Sequence, residues 1–130
     1  MKSAIKFLSM LLIVLFAACD KDEAELDNNS LTGTWKLSES WASAGSGKAD
    51  WKPVKTQVVV QFKEDGSLGG NAFGGYVRYV IKDNKTLVFS RADKTEQNYT
   101  YDIEHGKLTM SPAGPIVCTE GCGSRYIKTN

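Results

Sequence analysis

Two kinds of hydrophobic patterning divide the chain. Residues 7–18 form an unbroken apolar run, whereas from Leu31 onward apolar and polar residues alternate in short bursts separated by turn residues. No segment of the second part sustains a helical period, so the alternation predicts strands throughout.

Gly33-Thr34-Trp35-Lys36-Leu37-Ser38 alternates, and its phase places Trp35, Leu37, Glu39 and Trp41 on one face. A Gly/Ser-rich stretch from Ala42 to Pro53, with Trp51 near its end, reads as a long loop. Thr56 to Lys63 is the clearest strand, with Val58, Val60 and Phe62 directed inward, and Glu64-Asp65-Gly66 makes a tight turn. A short strand follows around Ser67 to Asn71, then a stronger one from Tyr76 to Ile81, closed by Lys82-Asp83-Asn84-Lys85. Leu87 and Phe89 share a phase. Tyr99, Tyr101 and Ile103 alternate with Thr100 and Asp102, and Glu104-His105-Gly106 turns the chain into Leu108 and Met110. Ser111 to Pro115 breaks that pattern, and Ser124 to Lys128 forms the last strand.

Seven or eight short strands joined mostly by tight turns pair sequentially and antiparallel. Such a meander removes its exposed edges by closing on itself. The expected fold is therefore all-β: a small up-and-down antiparallel eight-stranded barrel over residues 31–130, with an open β-sandwich as the alternative. A barrel of that size has an interior that is either filled or just wide enough for one small ligand.

The first apolar run follows Lys2 and Lys6 and ends in Ala17-Ala18, the three parts of a secretory signal. At about 12 residues it is shorter than the roughly 20 that a membrane-spanning helix needs. Phe16-Ala17-Ala18-Cys19 resembles the lipobox of bacterial lipoproteins, with Phe16 where Leu is usual. The resemblance implies a signal peptide over 1–18 and acyl chains (a diacylglyceryl thioether and an N-acyl group such as palmitate) on Cys19. More than one chain is what makes such an anchor stable, since each buried CH2 contributes about 0.8 kcal/mol. Residues 19–30 then form an acidic tether. Within it, Lys21-Asp22-Glu23 is similar to the surface-export signal of some Gram-negative lipoproteins, which implies an outer-membrane protein facing outward; the periplasmic leaflet is the alternative.

Removing the first 18 residues leaves about 112, enough for one small domain. The chain carries a formal charge of +1, which becomes about −1 for the mature part and about +3 for the domain without its tether. Clustered Lys and Arg on one face are missing from the pattern, so no nucleic-acid partner is expected. With Cys19 lipidated, Cys118 and Cys122 are an even pair in an oxidising compartment and read as a disulfide tying a turn. Free thiols, or half a metal site with the single histidine His105, are the other readings. No metal and no cofactor is expected, and the protein is expected to be a monomer.

Leu31-Thr32-Gly33-Thr34-Trp35 at one end and Arg125 at the other make the domain resemble a calycin, specifically the small lipocalin-like domains of bacterial lipoproteins. That resemblance implies that Gly33 and Trp35 open the first strand, and that Arg125 lies over the Trp35 indole where the barrel closes.

Gly69 to Gly75 lacks the helix and Lys-Ser/Thr that a phosphate loop requires, and reads as a kinked strand or hairpin. Glu39, Trp41, Trp51 and Arg78 are the candidate ligand-binding residues, directed toward the barrel mouth if their phases hold. No Ser-His-Asp or Cys-His set can be assembled around one turn histidine. Glu39 and Asp102, the only candidate carboxylate pair, fall in opposite phases, so no enzymatic activity is expected. The leading reading is a membrane-anchored lipoprotein whose barrel binds a small apolar ligand or which acts as a non-catalytic accessory surface protein. The rival is a protein–protein module, such as an enzyme inhibitor presented at the cell surface. A hollow interior favours the first; a filled interior with an ordered aromatic loop favours the second.

Overall fold

The computed structural model describes residues 30–43 and 48–130. The expected signal peptide, Cys19 and the expected tether as far as Asn29 lie outside the described residues. Every regular element among those described is a strand: β1 Gly33–Ala42, β2 Lys52–Pro53, β3 Val59–Phe62, β4 Leu68–Gly70, β5 Tyr76–Asp83, β6 Thr86–Arg91, β7 Glu96–Glu104, β8 Lys107–Gly114 and β9 Cys122–Lys128.

The strands follow one another around a single sheet in the order β4-β3-β1-β9-β8-β7-β6-β5, with the two-residue β2 attached to β1 alone. All ladders are antiparallel. First and last strands are therefore paired, and β4 meets β5 across a seam. An isolated bridge between Ser67 and Arg78 spans that seam. The Tyr79 amide donates to the Gly66 carbonyl at 2.9 Å, and the Tyr79 hydroxyl donates to the Lys63 carbonyl at 2.7 Å. The architecture is an eight-stranded up-and-down antiparallel barrel, nearly closed, with this one seam unsealed.

Local chemistry accounts for the tight connections. Asp65, Asp83 and Asp93 each accept a hydrogen bond from the backbone N–H two residues on, at 2.9, 2.8 and 3.0 Å. Such Asx turns offer the chain a bend at the point where the ladder ends. In all three the hydrogen bonds hold the carboxyl below its ordinary range: the Ser67 hydroxyl is the main cause for Asp65, and the amides of Lys85 and Thr95 for the others. His105 and Gly106, with φ of 51° and 75°, form a two-residue turn of the kind that needs positive φ at both positions.

Three departures from simple alternation shape the surface. A bulge between Leu37 and Glu39 shifts the β1–β9 register by one residue. β8 continues through Pro112 to Gly114, past the expected break, with its own irregularity opposite Asn98. β9 begins at Cys122, two residues before the expected start.

The antiparallel order sorts the loops to two ends. Ser30, Asn130 and the turns at 64–66, 84–85 and 105–106 lie at one end. Ser43 and the loops at 71–75, 92–95 and 115–121 lie at the other.

Between them, apolar side chains occupy the barrel interior. Trp35, Val60, Phe62, Leu87, Phe89 and Leu108 are fully buried, with Met110 and Tyr126 nearly so. Phe89 has its ring against Phe62, Phe73, Tyr76 and Tyr99, at centroid separations of 6.0, 4.9, 6.1 and 4.8 Å. Phe73 turns in from the β4–β5 loop and also meets Tyr99 and Tyr126, plugging the end opposite Leu31. Leu31 covers the other end, its carbonyl accepting from the Trp35 indole at 2.8 Å.

Burial pushes the Tyr126 hydroxyl up to about 12 from its ordinary 10.0, against a smaller opposing effect of Ser124. The neutral phenol is thus favoured by the fold. Its contribution is complete below about pH 10, where the unfolded chain begins to ionise, and is lost as pH rises toward 12. Unfolding free energies should fall by roughly 2 kcal/mol more over that interval in the native chain than in Tyr126→Phe. Equal falls in the two proteins would show that the phenol is not responsible.

Candidate functional site

The bulge in β1 decides where the candidate residues point. Trp35 and Leu37 pair with Lys128 and Tyr126, but beyond the extra residue Glu39 pairs with Arg125 and Trp41 with Gly123. Tyr126 is buried in the core, so its neighbour Arg125 and that residue's partner Glu39 face the outside. Glu39 and Trp41 are therefore on the outer wall, not at the barrel mouth. Ser38 sits in the bulge and donates its hydroxyl to the Arg125 carbonyl at 3.1 Å. Its own carbonyl accepts from the Val54 amide at 2.9 Å, which draws the loop carrying Trp51 over the same wall.

Trp51 and Arg125 make the centre of the resulting cluster. The Arg125 guanidinium carbon lies 3.8 Å from the Trp51 ring centroid. A guanidinium nitrogen stands 3.7 Å from the Glu39 carboxylate, both side chains about one-third exposed. Trp41 meets Trp51 edge-on, with centroids 6.1 Å apart and planes at 62°. Two glycines let the indoles lie this close to β9. A methyl group on Gly123 would stand 2.6 Å from the Trp41 Nε1, and one on Gly121 would stand 3.0 Å from the same ring.

The loop before β9 is tied on several sides. Cys118 and Cys122 are joined by a disulfide. The Ser43 amide donates to the Gly121 carbonyl at 3.0 Å. Buried Gln97 clamps Ile116 at both backbone groups, donating to its carbonyl at 2.8 Å and accepting from its amide at 3.0 Å. Ile116 and Val117 stay exposed on this braced loop, at 66% and 57%.

The cation expected over Trp35 is Lys128, whose Nζ lies 5.3 Å from the ring, and not Arg125. The reason is parity: Lys128 shares the inward phase of Tyr126, and Arg125 does not. Gly33, with φ of 134°, packs against the Asn130 carbonyl at the start of β1. Arg78 is separated from the tryptophan cluster; it lies on β5 opposite Ser90 and bridges to Ser67 at the seam.

The expected opposite phases of Glu39 and Asp102 are also corrected by the bulge. Glu39, Arg125, Thr109 and Asp102 stand abreast on β1, β9, β8 and β7 of the outer wall. Three strand spacings separate the two acids by about 14 Å. Paired glycosidase carboxylates work at roughly 5–9.5 Å. Asp102, Glu104, His105, Lys107, Thr109 and Arg125 line a groove of about 360 Å³ beside the cluster. A second groove of about 300 Å³, more apolar, is lined by Lys36, Leu37, Ser38, Val54, Ile127 and Thr129. Among the described residues no three His, Cys, Asp or Glu side chains come together as a metal site.

Truncating Arg125 tests how the cluster is held. Arg125→Ala is expected to cost about 1 kcal/mol, from a partly exposed cation–π contact plus a weakly contributing ion pair. It should also change Trp51 emission. Arg125→Lys should recover the charge but little of the stacking. Urea unfolding followed by tryptophan fluorescence reads both; an unchanged spectrum in the alanine variant would mean that the guanidinium does not rest on Trp51 in solution.

Comparison with protein-family models, with curated proteins and with solved structures found no match. The barrel itself is consistent with a calycin-like fold.

Proposed function

We propose that the chain is a membrane-anchored, non-catalytic, monomeric lipoprotein whose lipocalin-like barrel binds another protein through its outer wall and far-end loops. One observation carries this reading: aromatic rings occupy the barrel axis, while the ordered aromatic and charged groups lie outside, toward the end opposite the tether. Trp41, Trp51 and Arg125 are residue types that dominate binding energy at protein interfaces. They are held by a bulge, a disulfide loop and two glycines, so little ordering remains to be done on binding.

Anchorage rests on the sequence around Cys19, and outward display on Lys21-Asp22-Glu23. The tether enters at one end of the barrel, so the braced Ile116–Val117 loop and Trp41 lie toward the other. A small apolar ligand remains a second reading, now for the outer groove formed by Leu37, Val54 and Ile127. Native mass spectrometry of the protein purified from its own membrane discriminates these readings. The expected species carries acyl chains on Cys19 and no retained small molecule. A free thiol at residue 19 would overturn the anchor, and a stoichiometric lipid-sized adduct in addition to the acyl chains would favour the small-ligand reading.

A further inference from the structure

The tether end carries two exposed aliphatic residues, Val80 and Ile81, that the core does not use. Val80 and Ile81 on β5 are 61% and 50% exposed; they point to opposite faces of the protruding strand end, Val80 paired with Val88 and Ile81 with fully buried Leu87. The cause is the seam. Beyond the Gly66–Tyr79 hydrogen bond, the described residues supply no strand to the outer edge of β5, so its last residues protrude past the β3–β4 hairpin. Lys82 and Lys85 follow at once, both exposed, with Asp83 turned into the Lys85 amide. Half-buried Tyr101 is next to the same turn, its amide donating to the Lys85 carbonyl at 2.9 Å. Aliphatic residues with a tyrosine and flanking lysines are the composition that settles at a lipid–water boundary.

We infer that this lip, formed by Val80, Ile81, Tyr101, Lys82 and Lys85, rests on the surface of the bilayer to which the chain is anchored. The position of the tether chooses lipid over a protein partner. Ser30 is held at the same end, its carbonyl accepting from the Lys128 ammonium at 2.8 Å. Ten residues lie between it and Cys19, a reach of at most roughly 40 Å. Acyl chains at Cys19 thus keep this end close to the membrane at a high local concentration. With one acid among the two lysines the lip has little net charge, so the contact rests mainly on its aliphatic pair and should be only weakly sensitive to salt. This inference depends on the lipid anchor proposed above.

The test uses the acylated protein in vesicles of phosphatidylethanolamine and phosphatidylglycerol, compared with the Cys19→Ser chain free in solution. Flotation reports the anchor, and backbone hydrogen exchange reports the contact. Exchange at residues 80–83 is expected to slow several-fold on vesicles, with no change at 116–121 on the opposite end. In acylated Val80→Asp, flotation should persist while the slowing is lost. Flotation without slowing at 80–83 overturns the lip contact and leaves the anchor standing. Slowing at 116–121 instead would show that the other end meets the lipid. Failure of the native protein to float removes both the anchor and the contact.

Discussion

Replacing Phe89 by alanine is expected to cost the domain about 3–5 kcal/mol, enough to remove much of the stability of a chain this size. The side chain is fully buried and its ring meets four others, two of them from elements flanking the seam. Tyr76 begins β5, and Phe73 belongs to the loop that leads into it. Removing the ring therefore loosens the closure of the barrel as well as its core, and no neighbouring strand can move in because the ladders to β5 and β7 fix β6 on both sides. Urea unfolding checks the magnitude, with Val80→Ala on the exposed edge as the comparison, expected to change stability by less than about 0.5 kcal/mol. A loss near 1 kcal/mol in Phe89→Ala would mean that the aromatic interior collapses around the gap, and that the barrel is less tightly filled than its ring separations indicate.

The inward residues were legible because a strand has one period and burial writes that period into the sequence. Trp35, Val60 and Phe62 followed from alternation alone, and Leu87 with Phe89 and Leu108 with Met110 as pairs sharing a phase; Val58, expected inward with Val60, precedes β3 and is only partly buried. The turns were legible for a related reason, since Asp65, Asp83 and Gly106 are the residue types that bend a chain cheaply. What alternation could not show was a change of phase within a strand. Nothing around Ser38 marks the bulge, neither glycine nor proline, because the extra residue is held by hydrogen bonds to Arg125 and Val54 that exist only once the strands have met. One missed residue thus reversed the placement of Glu39 and Trp41; the expectation of Arg125 over Trp35 failed separately, on the parity of β9. A signal for the last point was present: if Tyr126 is a core residue, Arg125 must point outward and Lys128 inward. Phe73 left no such trace. A single aromatic among glycines has no neighbours of its own phase, and its place as a plug depends on a loop folding back over the mouth.

Gly123 is the position where the fold and the candidate surface depend on the same missing atoms. It is buried on β9 opposite Trp41, and a first side-chain carbon there would stand 2.6 Å from the Trp41 ring nitrogen, 3.1 Å from Trp51 and 3.2 Å from the Ser111 hydroxyl. Neither indole can retreat freely: Trp41 is confined by Gly121 on its far edge, and Trp51 by the Arg125 guanidinium. Gly123→Val should therefore cost about 3 kcal/mol, the upper part of the usual range for overpacking, and drive at least one tryptophan off the wall. Red-shifted tryptophan emission and a lowered urea midpoint are the expected signs, with the inner core still folding because Trp35 and Phe89 lie on the opposite side of the sheet. Gly74→Ala is the matching control, since nothing stands within 4 Å of the atom it would add. If Gly123→Val folds with native stability and unchanged emission, the two tryptophans are not packed on β9 in solution, and the recognition surface assigned to them does not exist as drawn.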